Sequence, residues 1–212
     1  MAEPEVKRVT RRCPGNSIKE DYPVFEPDGC IIQLDTQVYI HDIECAEAIS
    51  EIYPEALWIA PDILVELYKF RDMSPKERVK IGIEIDDFGG HIARIHKIAS
   101  SLGGDPFRFP AFSELSSRGE RGEKAAEAIE AAANCAYGGE SCNGTPSPAD
   151  KGLFTGPVYG NGDKFDGKRY FWPIFSRDRK VQGAGKNLRK DGYHVVTVGD
   201  VDALHYHASQ FL

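Results

Sequence analysis

Two short acidic clusters offer this chain its most direct chemistry. One is Pro61-Asp62-Ile63 and the other is Gly82-Ile83-Glu84-Ile85-Asp86. Between them lie residues 64–70, rich in apolar and aromatic side chains, and then a polar stretch around Ser74 and Pro75. A hairpin closing about Ser74 sets Asp62 opposite Asp86 and Leu64 opposite Glu84. Cross-strand partners share a face, as do residues two apart on one strand. The pattern therefore predicts Asp62, Glu84 and Asp86 on one face at one end of a hairpin. Carboxylates gathered there repel one another, and a divalent cation with oxygen ligands relieves the repulsion. Ile81, Ile83 and Ile85 flank Glu84 and predict a buried strand. The Gly-rich segment Asp87-Phe88-Gly89-Gly90-His91 predicts a tight turn that returns His91 over the same end. The competing reading is a set of solvated acids at strand ends, and a slip of one residue would turn Asp62 away from Glu84.

The elements that must position these residues follow from hydrophobic period and stop signals. Residues 1–28 are polar, Pro-containing and irregular, and read as an arm. A single α/β domain is expected over 29–212. Residues 31–40 predict a short strand and 42–52 a helix capped by Asp42. The hairpin spans roughly 57–70 and 79–86. Residues 92–102 have helical spacing and stop at Gly103-Gly104, and the Ala- and Glu-rich stretch 120–136 predicts a second long helix. Residues 136–167 are dense in Gly and Pro and predict an irregular flap inside an insertion over 103–170. An aromatic strand over 168–175, a basic helix over 177–191, a strand over 194–198 and a terminal helix over 200–211 complete the order. The sum is a mixed sheet flanked by helices.

Composition narrows the function classes. The chain has 212 residues, 41% hydrophobic, enough for one real core. Its formal net charge of −7 argues against bulk electrostatic attraction to nucleic acid. The charge is uneven: between 171 and 190, Arg177, Arg179, Lys180, Lys186, Arg189 and Lys190 face one acid, Asp178. That local patch is the predicted phosphate-contacting surface. Five cysteines with no Cys-x-x-Cys pair offer no zinc spacing and predict free thiols, with Cys135 and Cys142 able to pair only in an oxidising setting. No apolar run reaches a membrane span, and the first residues lack the apolar core of a signal peptide. A cytoplasmic, non-membrane protein is the expectation, with export as an effector left open. Gly183-Ala184-Gly185-Lys186-Asn187 lacks the upstream Gly and the following Ser or Thr of a phosphate-binding loop.

Taken together, Pro61-Asp62-Ile63, the run Val79–Asp86, His91, Arg177-Asp178-Arg179-Lys180 and Lys186–Val196 resemble the PD-(D/E)XK nuclease superfamily. The nearest likeness is to small proteins similar to the very-short-patch-repair endonucleases. The resemblance covers about 42–91 and 177–198. It implies a restriction-endonuclease-like fold and a Mg²⁺- or Mn²⁺-dependent endonuclease cutting phosphodiester bonds of nucleic acid, with DNA the favoured substrate and a homodimer open. It implies Asp62, Glu84 and Asp86 as metal ligands, with Glu44 on the preceding helix as a further acid. The Lys usual two residues after the Glu is Asp86 here, which leaves His91, Lys180 and Lys186 as candidates for the activating group. Arg177, Arg179, Lys180, Lys186, Arg189 and Lys190 would hold the phosphate backbone. The departure at Asp86 also supports a rival reading, a non-catalytic nucleic-acid-binding or interaction module on the same fold. A toxin-type nuclease effector would share the chemistry and differ in context.

Overall fold

The computed structural model describes residues 8–9, 22–23, 30–100, 110–138, 144–160 and 171–211. β1 (Arg8–Val9) and β2 (Tyr22–Pro23) form an isolated antiparallel pair within the expected arm. The core is a second sheet of four strands, all parallel. β3 (Ile32–Leu34) is bordered by β4 (Leu57–Trp58) and β5 (Pro173–Phe175), and β6 (Val196–Val198) pairs outside β5. The spatial order is β4-β3-β5-β6. Every residue of β3, β4 and β5 is buried. Parallel strands need crossover helices, and helices on a sheet's faces bury both of its sides. That is why these strands read as apolar runs rather than as alternating patterns.

α1 (Thr36–His41) and α2 (Ile43–Ile52) carry the chain from β3 to β4. Asp42 caps α2 as its sequence position predicts, its carboxylate accepting from the Cys45 amide at 3.3 Å. From β4 the chain runs through α3 (Pro61–Asp72), α4 (Pro75–Lys80), α5 (Phe88–Ser100), a 3₁₀ segment over Phe112–Arg118, α6 (Gly119–Ala136) and α7 (Pro148–Gly152). Only then does it return to β5. α8 (Arg179–Lys190) packs against α6 and leads into β6, and α9 (Val201–Phe211) follows. Trp172, Tyr39, Tyr53, Phe154 and Phe175 are the largest fully buried side chains.

The hairpin is absent. Its first arm is α3 and its turn is the start of α4, so the two acidic clusters lie on separate elements. Two sequence signals explain this. Pro61 stands at the first helical position, where its missing N–H costs nothing. Ile63, Leu64 and Leu67 are buried while Val65 is exposed, which is helical period. Ser74-Pro75-Lys76-Glu77 is a complete capping box, with Glu77 accepting from the Ser74 amide at 2.8 Å. Arg78 then turns inward, 5% exposed, and donates to the Met73 carbonyl at 2.6 Å. It covers the open end of α3 as basic groups do at helix C-termini. With its antiparallel hairpin gone, the expected mixed sheet is all-parallel.

The 103–170 segment is also more ordered than its composition predicts where it is described. Leu115, Ile129, Leu153 and Phe154 are buried. Ser147-Pro148-Ala149-Asp150 is a second capping box and starts α7 inside the stretch read as an irregular flap. Residues 103–109, 139–143 and 161–170 of that segment lie outside the described residues.

Candidate functional site

The residues expected to share a face do not meet. Asp62 sits in the first turn of α3, 8% exposed, and accepts from the Phe112 amide at 2.8 Å. Gly152 presses on it so closely that a Cβ there would stand 2.4 Å from Asp62 Oδ2. Burial raises its pKa, against that amide's pull. Asp62 is thus a packed link between α3, the 3₁₀ segment and α7. Glu84 and Asp86 are exposed in the loop after α4. Glu44 is exposed in the first turn of α2. His91 is buried on α5 with Nε2 2.7 Å from the Tyr39 carbonyl, a donor position, and burial lowers its pKa. It ties α5 to α1. The Gly turn before it is instead the start of α5, with Asp87 accepting from the Gly90 amide at 2.9 Å. A Cβ at Gly90 would lie 2.3 Å from Asp87 Oδ2, so a larger residue there would push the Asp87 carboxylate off the Gly90 amide.

A different set of carboxylates comes together at the carboxyl ends of the central strands. Asp35 directly follows β3, and Asp178 stands three residues past β5 and caps α8, accepting from the Lys180 amide at 2.7 Å. Asp150, on α7, lies in the field of Asp35 and also of Glu66, which stands on α3 one helical turn beyond Asp62. Asp35 is 4% exposed; burial pushes its pKa up to about 6, and the charges of Asp150 and Asp178 push the same way. The Ser176 hydroxyl donates to Asp35 Oδ2 at 2.5 Å and opposes that shift. Burial also raises Glu66, with Asp150 adding to it, while the Thr36 hydroxyl donates to Glu66 Oε2 at 2.5 Å. Tyr137 is buried, hydrogen-bonds Asp150, and has its pKa raised by burial first and by Asp150, Asp178 and Asp35 after it.

The place is physically apt. The chain leaves β3 toward β4 on one side and later returns to β5 on the other, so the two strands splay their connections apart. In open parallel sheets that switch point forms a crevice beyond the strand ends. Among the described residues no three Asp, Glu, His or Cys side chains converge on one point as placed. The Ser176 and Thr36 hydroxyls and the Ser147 and Lys180 amides each hold one carboxylate oxygen. Among the described residues no donor is placed on the second oxygen of Glu66 or of Asp178. The donor set is all oxygen, which suits a hard cation such as Mg²⁺ or Mn²⁺.

The basic helix is observed over Arg179–Lys190, and Arg179, Lys180, Lys186, Arg189 and Lys190 are exposed on it. Arg177 departs from expectation. Its guanidinium pairs with Asp42 at 2.6 Å, a buried carboxylate at the head of α2, and is committed to that contact. Lys180 lies at the cluster, its ammonium 4.8 Å from the centre of the Tyr137 ring. Of the three groups proposed to replace the usual motif Lys, it alone touches a residue that bonds one of these acids, through Tyr137.

The sequence reading missed Asp35, Glu66, Asp150 and Asp178. A signal was available for two of them. Cys30-Ile31-Ile32-Gln33-Leu34-Asp35 and Phe171-Trp172-Pro173-Ile174-Phe175-Ser176-Arg177-Asp178 are both apolar runs ending in an acid. Extending the first strand through residue 40 hid the acid inside it. No known protein family matches this chain, and no curated protein or solved structure matches it.

Proposed function

We propose that the protein is a divalent-cation-dependent phosphodiesterase acting on nucleic acid, with Asp35, Glu66, Asp150 and Asp178 as its metal-holding set. The observation that carries this reading is the gathering of four acids at the sheet's switch point, one of them buried and held near pKa 6. Carboxylates in one another's fields in a half-dry crevice favour a cation between them. A bound Mg²⁺ or Mn²⁺ would lower the pKa of a water and offset the charge on the scissile phosphate.

The chain's own residues divide the remaining work. Ser176 and Thr36 fix the carboxylates of Asp35 and Glu66 by donating to one oxygen of each. Glu66 and Asp178 would offer their second oxygens to a bound cation. Tyr137 holds Asp150 in place. Lys180 faces the phosphate and stabilises the charge of the pentacovalent phosphorane. Arg179, Lys186, Arg189 and Lys190 hold the backbone on either side.

The test is incubation with plasmid, single-stranded DNA and RNA in Mg²⁺, Mn²⁺ and EDTA, beside the Asp35→Asn and Glu66→Gln variants. Cleavage that needs the metal and is lost in both variants is expected. Cleavage retained by either variant removes that residue from the site. Absence of metal-dependent cleavage on all three substrates favours the non-catalytic binding module.

A further inference from the structure

A shallow, wide-open cleft of about 590 Å³ lies between the C-terminal end of α6 and α8. Cys135, Ala136 and Gly183 make its floor, and Lys186, Arg189 and Lys190 its rim. The floor is small and largely apolar. A Cβ at Gly183 would come 3.3 Å from the Ala136 Cβ, so the two helices pass closely there. The Asn187 amide fixes the pair by donating to the Ala132 carbonyl at 3.2 Å. All three rim cations are exposed, and among the described residues none has a carboxylate within ion-pair distance. Three exposed cations around an apolar floor give an acidic chain a local positive patch, complementary to an anion that carries an apolar face.

The cleft and the acidic cluster are joined by one element at each side. Along α8, the Asp178 cap lies about 12 Å from Lys186 and about 18 Å from Lys190 at about 1.5 Å per residue. On the other side, Tyr137 directly follows Ala136, bonds Asp150 and carries Lys180 over its ring. A chain molecule lying along α8 from Lys190 toward Lys180 would end at the Asp178 cap.

We infer that this cleft seats an unpaired nucleic-acid strand on its way to the acidic cluster, bases against the floor and phosphates on Lys186, Arg189 and Lys190. The inference rests on the cluster being the hydrolytic site and adds the form of the substrate. A duplex turns its phosphates outward and keeps its base faces stacked, so it would meet the rim and leave the floor uncovered. A single strand offers both an apolar base face and a charged backbone to the same cleft. An acidic peptide offers charge without the flat apolar face.

The Cys135 thiol is exposed on the floor and serves as the reporter. The full chain with Cys13→Ser and Cys142→Ser is labelled by a bulky maleimide in EDTA, where no cleavage proceeds. Short oligothymidylate, a blunt duplex of equal length and polyglutamate are compared as protecting agents. With oligothymidylate at about ten times its Kd, labelling slows about tenfold, because some nine-tenths of the thiols are covered. The Lys186→Glu, Lys190→Glu double variant loses that protection while labelling at the unprotected rate and melting as the parent does. Equal protection by duplex or by polyglutamate overturns the inference, as does no protection at all. Metal-dependent cleavage is scored separately. Protection without cleavage leaves the cleft standing and removes the hydrolytic reading; cleavage without protection does the reverse.

Discussion

The Ser176 hydroxyl donates to Oδ2 of Asp35 at 2.5 Å, joining the ends of the two central strands across 141 residues of chain. One bond thus extends the pairing of β3 and β5 past their last ladder residues and fixes the orientation of the most buried acid at the switch point. It lowers the Asp35 pKa, yet burial wins and holds it near 6. Folding therefore opposes the charge on Asp35, and that has a measurable signature.

An aspartate whose pKa rises from 3.8 to about 6 binds its proton more tightly folded than unfolded. Its contribution to stability is greatest below the unfolded value and is lost as pH climbs through the folded one. At pH 8 the charged side chain costs on the order of 2–3 kcal/mol. Asp35→Asn removes that cost. Thermal melts from pH 4 to pH 8 are expected to show the variant more stable than the parent at the alkaline end, with the gap closing toward pH 4. A gap independent of pH would show that Asp35 does not carry this charge burden.

Divalent cations should stabilise the parent for the same reason. A cation at about 100 times its Kd adds about 2.7 kcal/mol, or roughly 5–10 °C in melting temperature for a chain of this size. The shift should vanish in the Asp35→Asn, Asp178→Asn double variant. Melting with Mg²⁺, Mn²⁺ and EDTA reads this directly, and a parent indifferent to all three would remove the cation from the cluster.

Asp62 and Glu84 are expected to behave differently from one another. Asp62→Ala leaves the Phe112 amide without its acceptor in a packed place and costs about 1–3 kcal/mol. Glu84→Ala, in an exposed loop, stays within about 0.5 kcal/mol of the parent. Chemical denaturation separates the two. Neither change is expected to abolish cleavage, and loss of metal dependence in Glu84→Ala would return that residue to the site.

Gly152→Ala probes the link between packing and site. The added methyl overlaps the Asp62 side chain, and overpacking of this kind costs about 1–3 kcal/mol. Because Gly152 ends α7 and Asp150 stands within it, the shift should also weaken the divalent-cation stabilisation. A variant that loses stability but keeps the full cation response would show that α7 can move without Asp150.

Local signals in the sequence were sufficient for some elements. The cap at Asp42, the Ala-rich α6, the basic α8 and the terminal α9 follow from capping chemistry and helical period, which act within a few residues. The Ser74–Glu77 and Ser147–Asp150 boxes carried the same kind of signal and marked helix starts. The expected hairpin rested on strand-like runs paired about Ser74, and Pro61 with the Ile63, Leu64 and Leu67 stripe outweighs that pairing in α3. What only the tertiary structure decided is which acids meet. Asp35 and Asp178 are separated by most of the chain, and their proximity depends on β5 choosing the free side of β3 rather than pairing beyond β4. Glu66 rather than Asp62 joins them because one helical turn along α3 separates a side chain packed under Gly152 from one that reaches the crevice. Strand order and helix docking are set by non-local burial, which no short window of sequence contains.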